Sequence, residues 1–263
     1  MNLNLVIIFL ATQLEHFQDD HMPVFTLDKA ISAFTSSTNI ATLFYMIVLI
    51  FFWYSARYWQ TPDKIRQRVK FFDPSLTRKL QERFRSPFLD WFASVFWFWI
   101  FGTSVFLMWF ICMFQGPQAF RYGIPIVTAV STSMFIQIFY PVVVPIRYGD
   151  FGKELPVKII RLETMGANTD KINGLLYNGL PSNHLGMVVT GLWLSLSVYQ
   201  VDPWTGWLVI AGAFIILALI FMFAVLYLGE HYWQDLVAAI VVYLIVLITI
   251  KFVIDFFFPY PIA

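Results

Sequence analysis

Long unbroken apolar runs, separated by short polar breaks, set the pattern of this chain. Six stretches are candidates to cross a bilayer as helices: 39–55, 91–114, 123–144, 185–201, 206–228 and 236–257. A spanning helix needs about 20 predominantly apolar residues. Lys251 and Asp255 fall near the end of the last run, where long side chains reach an interface. Met1–Gln13 is apolar but short. It lacks a basic lead and a small-residue cleavage pattern, so it reads as an interfacial helix rather than a signal peptide. Another short interfacial helix is expected near 27–35. The expected organisation is all-α: an N-terminal interfacial segment over 1–38 and a six-span helical bundle over 39–263.

Two polar stretches interrupt the runs. Within 56–90, apolar residues recur at helical spacing among Lys and Arg: Ile65, Val69 and Phe72, then Leu76, Leu80 and Phe84. That is a basic amphipathic surface segment suited to anionic lipid. The second polar stretch is 145–184. With six spans, both stretches and the 229–235 turn share one membrane side. Nine Lys and Arg fall in 56–90 and five in 145–184, while the remaining three are Lys29, Arg121 and Lys251. By the positive-inside rule the basic side is cytoplasmic.

Composition narrows the class. The chain has 263 residues, 59% hydrophobic and 13% charged, with mean hydropathy +0.69. Soluble domains carry about 25% charged residues, which argues against a water-soluble globular protein. Disorder is excluded by the 19% aromatic content. Unbroken rather than alternating apolar runs argue against a β-barrel. Net charge is +1, which gives no nucleic-acid footprint. The one cysteine, Cys112, allows no intrachain disulfide.

Chemistry concentrates at a few positions. The histidines are His16, His21, His184 and His231. His184 stands in Pro181-Ser182-Asn183-His184, just before the fourth span, and His231 in Gly229-Glu230-His231-Tyr232-Trp233-Gln234-Asp235, just before the sixth. The fourth and fifth spans are joined at Asp202-Pro203, so they form an antiparallel hairpin that returns both histidines to one surface. Arg147 follows the third span onto that surface. His231 and Asp235 are spaced i, i+4 and can face each other. A carboxylate on one imidazole nitrogen fixes the tautomer and leaves the other nucleophilic. The Ser182 and Asn183 backbone opens a helix, where N–H groups and the dipole favour phosphate. Arg147 can grip phosphate oxygens bidentately. His184 suits a general acid by its ordinary titration range. Together these residues fit phosphoryl transfer through a phosphohistidine.

These motifs resemble the type 2 phosphatidic-acid phosphatase superfamily of membrane lipid phosphatases and phosphotransferases. Its signatures are a Lys, six residues and Arg-Pro; Pro-Ser-Gly-His; and Ser-Arg, five residues, His, three residues, Asp. The likeness covers about 91–257. It implies His231 as nucleophile, Asp235 as its orienter and His184 as proton donor, with Arg147, Ser182 and the Asn183 backbone on phosphate. The chain departs from the pattern at several positions. Tyr140 stands for the first Lys, Tyr148 follows Arg147, Asn183 replaces Gly, and Ala224 and Val225 stand for Ser-Arg. Lys153, Lys158, Arg161 or Lys171 could supply the missing cations. Pro-x-Arg, Pro-Ser-x-His and His-Tyr-x-x-Asp are also similar to the inositol-phosphorylceramide synthase-like branch, which transfers a phospho-head-group to an alcohol.

The expected partners are the lipid bilayer and a lipid phosphate or phospholipid; no nucleic acid is expected. No cofactor or metal is called for, since histidine and arginine do the work. Glu15-His16 and Asp19-Asp20-His21 look like a metal-ligand cluster, but the spacing fits no specific site. Hydrolysis of a lipid phosphate or diphosphate is placed ahead of head-group transfer, with an inactive lipid-binding scaffold third. A transporter is disfavoured, because no ionisable residue lies in the middle of a span. Charge bias puts the site in the cytoplasm, whereas the resemblance implies the periplasm or lumen. Glu230 is read either as tuning His231 or as an exposed carboxylate. Trp91, Trp204, Trp207 and Trp233 are expected in interfacial belts.

Overall fold

The computed structural model describes residues 75–140, 142 and 180–259. Within them lie helices α1 (Ser75–Phe84), α2 (Pro87–Phe114), α3 (Phe120–Phe139), α4 (Asn183–Tyr199), α5 (Gly206–Leu228) and α6 (Trp233–Phe257), with a 3-10 turn at Gly116–Ala119. No strand occurs among the described residues. The expected first span at 39–55, the interfacial segments at 1–13 and 27–35, and the His16/His21 cluster lie outside them.

Local sequence explains where the helices begin and end. Pro87 opens α2, where its missing N–H costs nothing. Ser86 Oγ accepts the Leu89 N–H at 3.2 Å. The third apolar run was expected to continue to 144, but α3 ends at Phe139. Tyr140 precedes Pro141, whose ring disfavours helical geometry at the residue before it. Tyr140 accordingly adopts φ −130°, ψ 64°. The expected starts at 91, 123, 185 and 236 all fall a few residues inside the observed helices, because caps and first turns are too polar to register as apolar runs.

Helix α4 is the axis of the bundle, in contact with α2, α3, α5 and α6. Two glycines on it let large rings approach. A Cβ at Gly186 would lie under 3.0 Å from the Tyr243 ring, and one at Gly191 under 3.0 Å from Phe214. Phe214 is fully buried and cannot swing aside. Gly191→Ala should therefore destabilise the fold by about 1–3 kcal/mol, the usual overpacking cost. Gly212→Ala, where a Cβ meets open space, should be neutral or slightly stabilising. Thermal melts of the two variants in detergent check this pair; equal melting temperatures would contradict it.

Helices α5 and α6 are long and apolar enough to cross a membrane. Their outer faces expose Ile215, Ile216, Leu219, Ile245, Ile248 and Phe252. Exposed apolar surface on that scale suits hydrocarbon rather than water. At the far end of the bundle from His231, Arg121 of α3 donates to Asp255 Oδ1 at 3.2 Å and to the Pro259 carbonyl at 3.2 Å. Lys251 pairs with the other Asp255 oxygen. Sequence places Lys251 and Asp255 near an expected interface; in the fold they join Arg121 in tying the start of α3 to the end of α6.

Helix α1 packs differently from its apolar pattern. Leu76 and Phe84 are exposed and Leu80 is half-buried, whereas Thr77 and Gln81 are buried. The last carbonyls of a helix have no intrahelical donor. Gln81 meets one of them, donating from Nε2 to the Tyr227 carbonyl at 2.8 Å. Tyr227 in turn donates its hydroxyl to Asp90 of α2. Of the expected belt tryptophans, Trp91 and Trp233 are exposed, but Trp207 is 1% exposed. Its indole is drawn inward, with Nε1 donating to Asp202 Oδ2 at 3.3 Å and the ring edge-on to Trp204.

Candidate active site

Two helix starts and one helix stop build the site. Gly229 ends α5 in the left-handed region at φ 74°, ψ 22°. The Gly229 N–H bonds the Leu226 carbonyl at 3.3 Å and the Glu230 N–H bonds the Val225 carbonyl at 3.0 Å. That pairing is a Schellman stop, and it reverses the chain within a few residues. His231 then lies between the end of α5 and the start of α6. Extended Tyr232 precedes α6, and its N–H donates to Asp235 Oδ2 at 2.9 Å. An acidic residue in a first turn is favoured by the helix dipole. Asp235 is thus held by helix-start geometry before any role toward histidine.

The same Oδ2 lies 3.5 Å from His231 Nδ1. On the other edge of the ring, His231 Nε2 is 3.1 Å from Ser182 Oγ. Ser182 also caps α4, its Oγ accepting the Leu185 N–H at 3.4 Å. The Ser182 N–H reaches the Asp235 carbonyl at 3.3 Å, which fastens the two helix starts together. Asp235 is 0% exposed, and Ser182 and His231 are buried. Ser182, His231 and Asp235, expected as one constellation, are brought into one line.

Asn183 stands at the first position of α4, but its side chain turns into the bundle. Its Oδ1 accepts from Ser133 and from Tyr243, the latter at 3.2 Å, and Nδ2 donates to Gln137 Oε1 at 3.2 Å. Its backbone stands in a first turn, where N–H groups lack intrahelical acceptors. The described ring contacts of His184 run the other way. Its imidazole lies against Trp97 of α2 at 5.3 Å and is stacked with Phe221 of α5 at 5.9 Å between ring centroids. Pattern reading missed Ser133, Gln137, Tyr243 and Trp97, because they look like ordinary helix residues in apolar runs.

Glu230 is 5% exposed, which removes the exposed-carboxylate alternative of the two readings. The Schellman turn folds it back against the bundle instead of presenting it to solvent. Ala224 and Val225, at the positions of the related Ser-Arg pair, are buried in the core. Ala224 packs with Ala93, Tyr227 and Leu228. No cation is offered from that turn of α5. Arg147, Lys153, Lys158, Arg161 and Lys171 lie outside the described residues. Among the described residues, no group of three His, Cys, Asp or Glu side chains could hold a metal ion.

Searches against curated proteins and against solved structures give no match for the chain. A family model does match: residues 127–257, the segment that carries Ser182, Asn183, His184, His231 and Asp235, fit the PAP2 superfamily.

Proposed function

We propose that this protein is a membrane-embedded lipid phosphate or diphosphate phosphatase that works through a phosphohistidine on Nε2 of His231. The observation that carries the reading is the buried Ser182–His231–Asp235 line at the junction of two helix starts. The superfamily match supports phosphatase or phosphotransferase chemistry on lipid phosphates. The two long apolar helices support a membrane setting.

In this reading Nε2 attacks phosphorus, an N–P bond forms and the bond to the lipid oxygen breaks. His184, at the start of α4, gives that oxygen its proton. Water then attacks phosphorus, His184 takes its proton, the N–P bond breaks and inorganic phosphate leaves. Asp235 keeps the Nδ1 proton in place and offsets the positive charge on the ring. The first-turn N–H groups of α4 receive phosphate oxygens, and Arg147 grips them from the 145–184 stretch. Lys153, Lys158, Arg161 or Lys171 supplies further charge. Positioning and charge neutralisation then provide most of the acceleration.

Transfer to an alcohol in place of water has its own support: the core positions of Ala224 and Val225 leave a reduced set of phosphate cations. The test is to incubate purified protein with lipid phosphates and an alcohol acceptor such as inositol or diacylglycerol, in EDTA. Free phosphate and lipid products are followed by mass spectrometry. Phosphate release is the expected result. A phosphomonoester of the acceptor, inositol phosphate or phosphatidic acid, formed without phosphate release would replace hydrolysis by transfer. Activity abolished by EDTA and restored by a divalent ion would sink the metal-independent mechanism.

A further inference from the structure

We propose that Gln137 is a positioning residue that clamps both neighbours of Ser182 and so holds the Ser182 hydroxyl on His231. Gln137 lies in the last turn of α3 and is 2% exposed. Its Nε2 donates to the Pro181 carbonyl at 2.7 Å, and its Oε1 accepts from Asn183 Nδ2 at 3.2 Å. One amide therefore grips the residue before Ser182 and the residue after it.

The polarity of this network is forced from one end. A carbonyl can only accept, so the Pro181 oxygen must face the amide nitrogen of Gln137. That turns Oε1 toward Asn183, which must answer with Nδ2. Asn183 Oδ1 is then left for the hydroxyls of Ser133 and Tyr243, and both donate to it. The amides of Gln137 and Asn183 thus each have one orientation that satisfies these bonds. Such a network rigidifies what it surrounds, because any slip leaves a buried polar group unpaired.

Tyr243 reaches Asn183 only because residue 186 is glycine; a Cβ there would collide with its ring. Asn183 is the residue that departs from the related Pro-Ser-Gly-His signature. Glycine at 183 could make none of these bonds. The departure is thus coupled to Gln137, Ser133, Tyr243 and Gly186 on three helices.

The purpose follows from the 3.1 Å contact of Ser182 Oγ with His231 Nε2. That nitrogen is the attacking atom in the proposed function, on which the kinetic part of the inference rests. A shift of the Ser182 turn would move both the ring and the first-turn N–H groups. Misplacement by about 1 Å can cost about 100-fold in rate.

The experiment compares wild type with Gln137→Leu and Asn183→Gly in detergent, with Ser131→Ala as control. Ser131 is on the same helix, and among the described residues its hydroxyl donates to the Val127 carbonyl of that helix. Two readouts are taken: kcat and KM on a short-chain lipid phosphate, and the ring ¹⁵N shifts of His231. Gln137→Leu should lower kcat about 10- to 100-fold with KM within about twofold, and should move the Nε2 resonance. Asn183→Gly should do the same to a smaller degree, and the double variant should be no worse than Gln137→Leu, as expected for groups acting as one unit. If Gln137→Leu does not fold, Asn183→Gly carries the test, since the related signature has glycine at that position. Unchanged kcat and unchanged ring shifts in a folded variant would overturn the clamp. So would a kcat loss with the His231 resonances unmoved. If wild type turns over no lipid phosphate, the proposed function fails separately, and the ring shifts still decide the clamp.

Discussion

His231→Ala should reduce lipid phosphate turnover by about 10⁴-fold or more, because it removes the attacking atom itself. The fold should survive. His231 sits between the stop of α5 and the start of α6, and neither depends on its ring: Gly229 makes the stop and Asp235 caps the start. Lost contact with Ser182 should cost about 1 kcal/mol, the usual net value of one buried hydrogen bond. The variant should therefore melt close to wild type and be inactive. Rapid alkaline quench of wild type during turnover should trap phosphate on the protein, stable to base and labile to acid, as a phosphoramidate is. The same quench of His231→Ala should trap none. A variant that keeps more than about a tenth of wild-type turnover would remove His231 from the nucleophile's role, whatever the trapping shows.

Much of this was legible in the sequence, and the reasons differ by feature. Helices α2 to α6 announce themselves because apolar runs need no packing partner to be recognised. The pairing of His231 with Asp235 is readable because i, i+4 spacing puts both on one face at the start of a helix. Ser182 is readable as a cap. The direction in which Asn183 and His184 point is not. Both sit in one helical turn, yet Asn183 faces Ser133, Gln137 and Tyr243 while His184 faces Trp97 and Phe221. That choice depends on which neighbours α3, α6, α2 and α5 bring, and no local pattern encodes it. The Trp207 expectation fails for the same reason, and so does the exposed alternative for Glu230. Aromatic residues at span ends favour an interface, and acidic residues favour solvent, until a tertiary partner or a tight turn draws them inside. Helix α1 shows the converse: its polar Gln81 is buried because an unsatisfied carbonyl at Tyr227 waits for it.

Asp235→Asn should lower kcat about 10²- to 10⁴-fold with little change in KM, although the substitution is nearly isosteric. Both described contacts of the carboxylate fall on one oxygen. Oδ2 accepts the Tyr232 N–H and lies 3.5 Å from His231 Nδ1. Oδ1 is buried and has no hydrogen-bond partner among the described residues. An asparagine can then sit in two ways. With its oxygen in the place of Oδ2, it keeps the helix cap and the histidine tautomer. Its NH₂ is then buried without an acceptor, at about 1–3 kcal/mol, and the charge that offsets a positive ring is gone. With its NH₂ in the place of Oδ2, two donors meet at Tyr232 and the ring must turn its proton to Nε2. The attacking nitrogen is then blocked, the effect that costs about 10⁴-fold in serine proteases when their buried aspartate becomes asparagine. The ring ¹⁵N shifts of His231 tell the two apart: a protonated Nε2 marks the second arrangement. Asp235→Ala should be less stable than Asp235→Asn by about 1 kcal/mol, since it also loses the cap on α6. A folded Asp235→Asn variant within tenfold of wild-type kcat would mean that the carboxylate serves the helix start alone. The cap geometry would then be the whole reason for an acidic residue at this position, and the line from Ser182 through His231 would end at the imidazole.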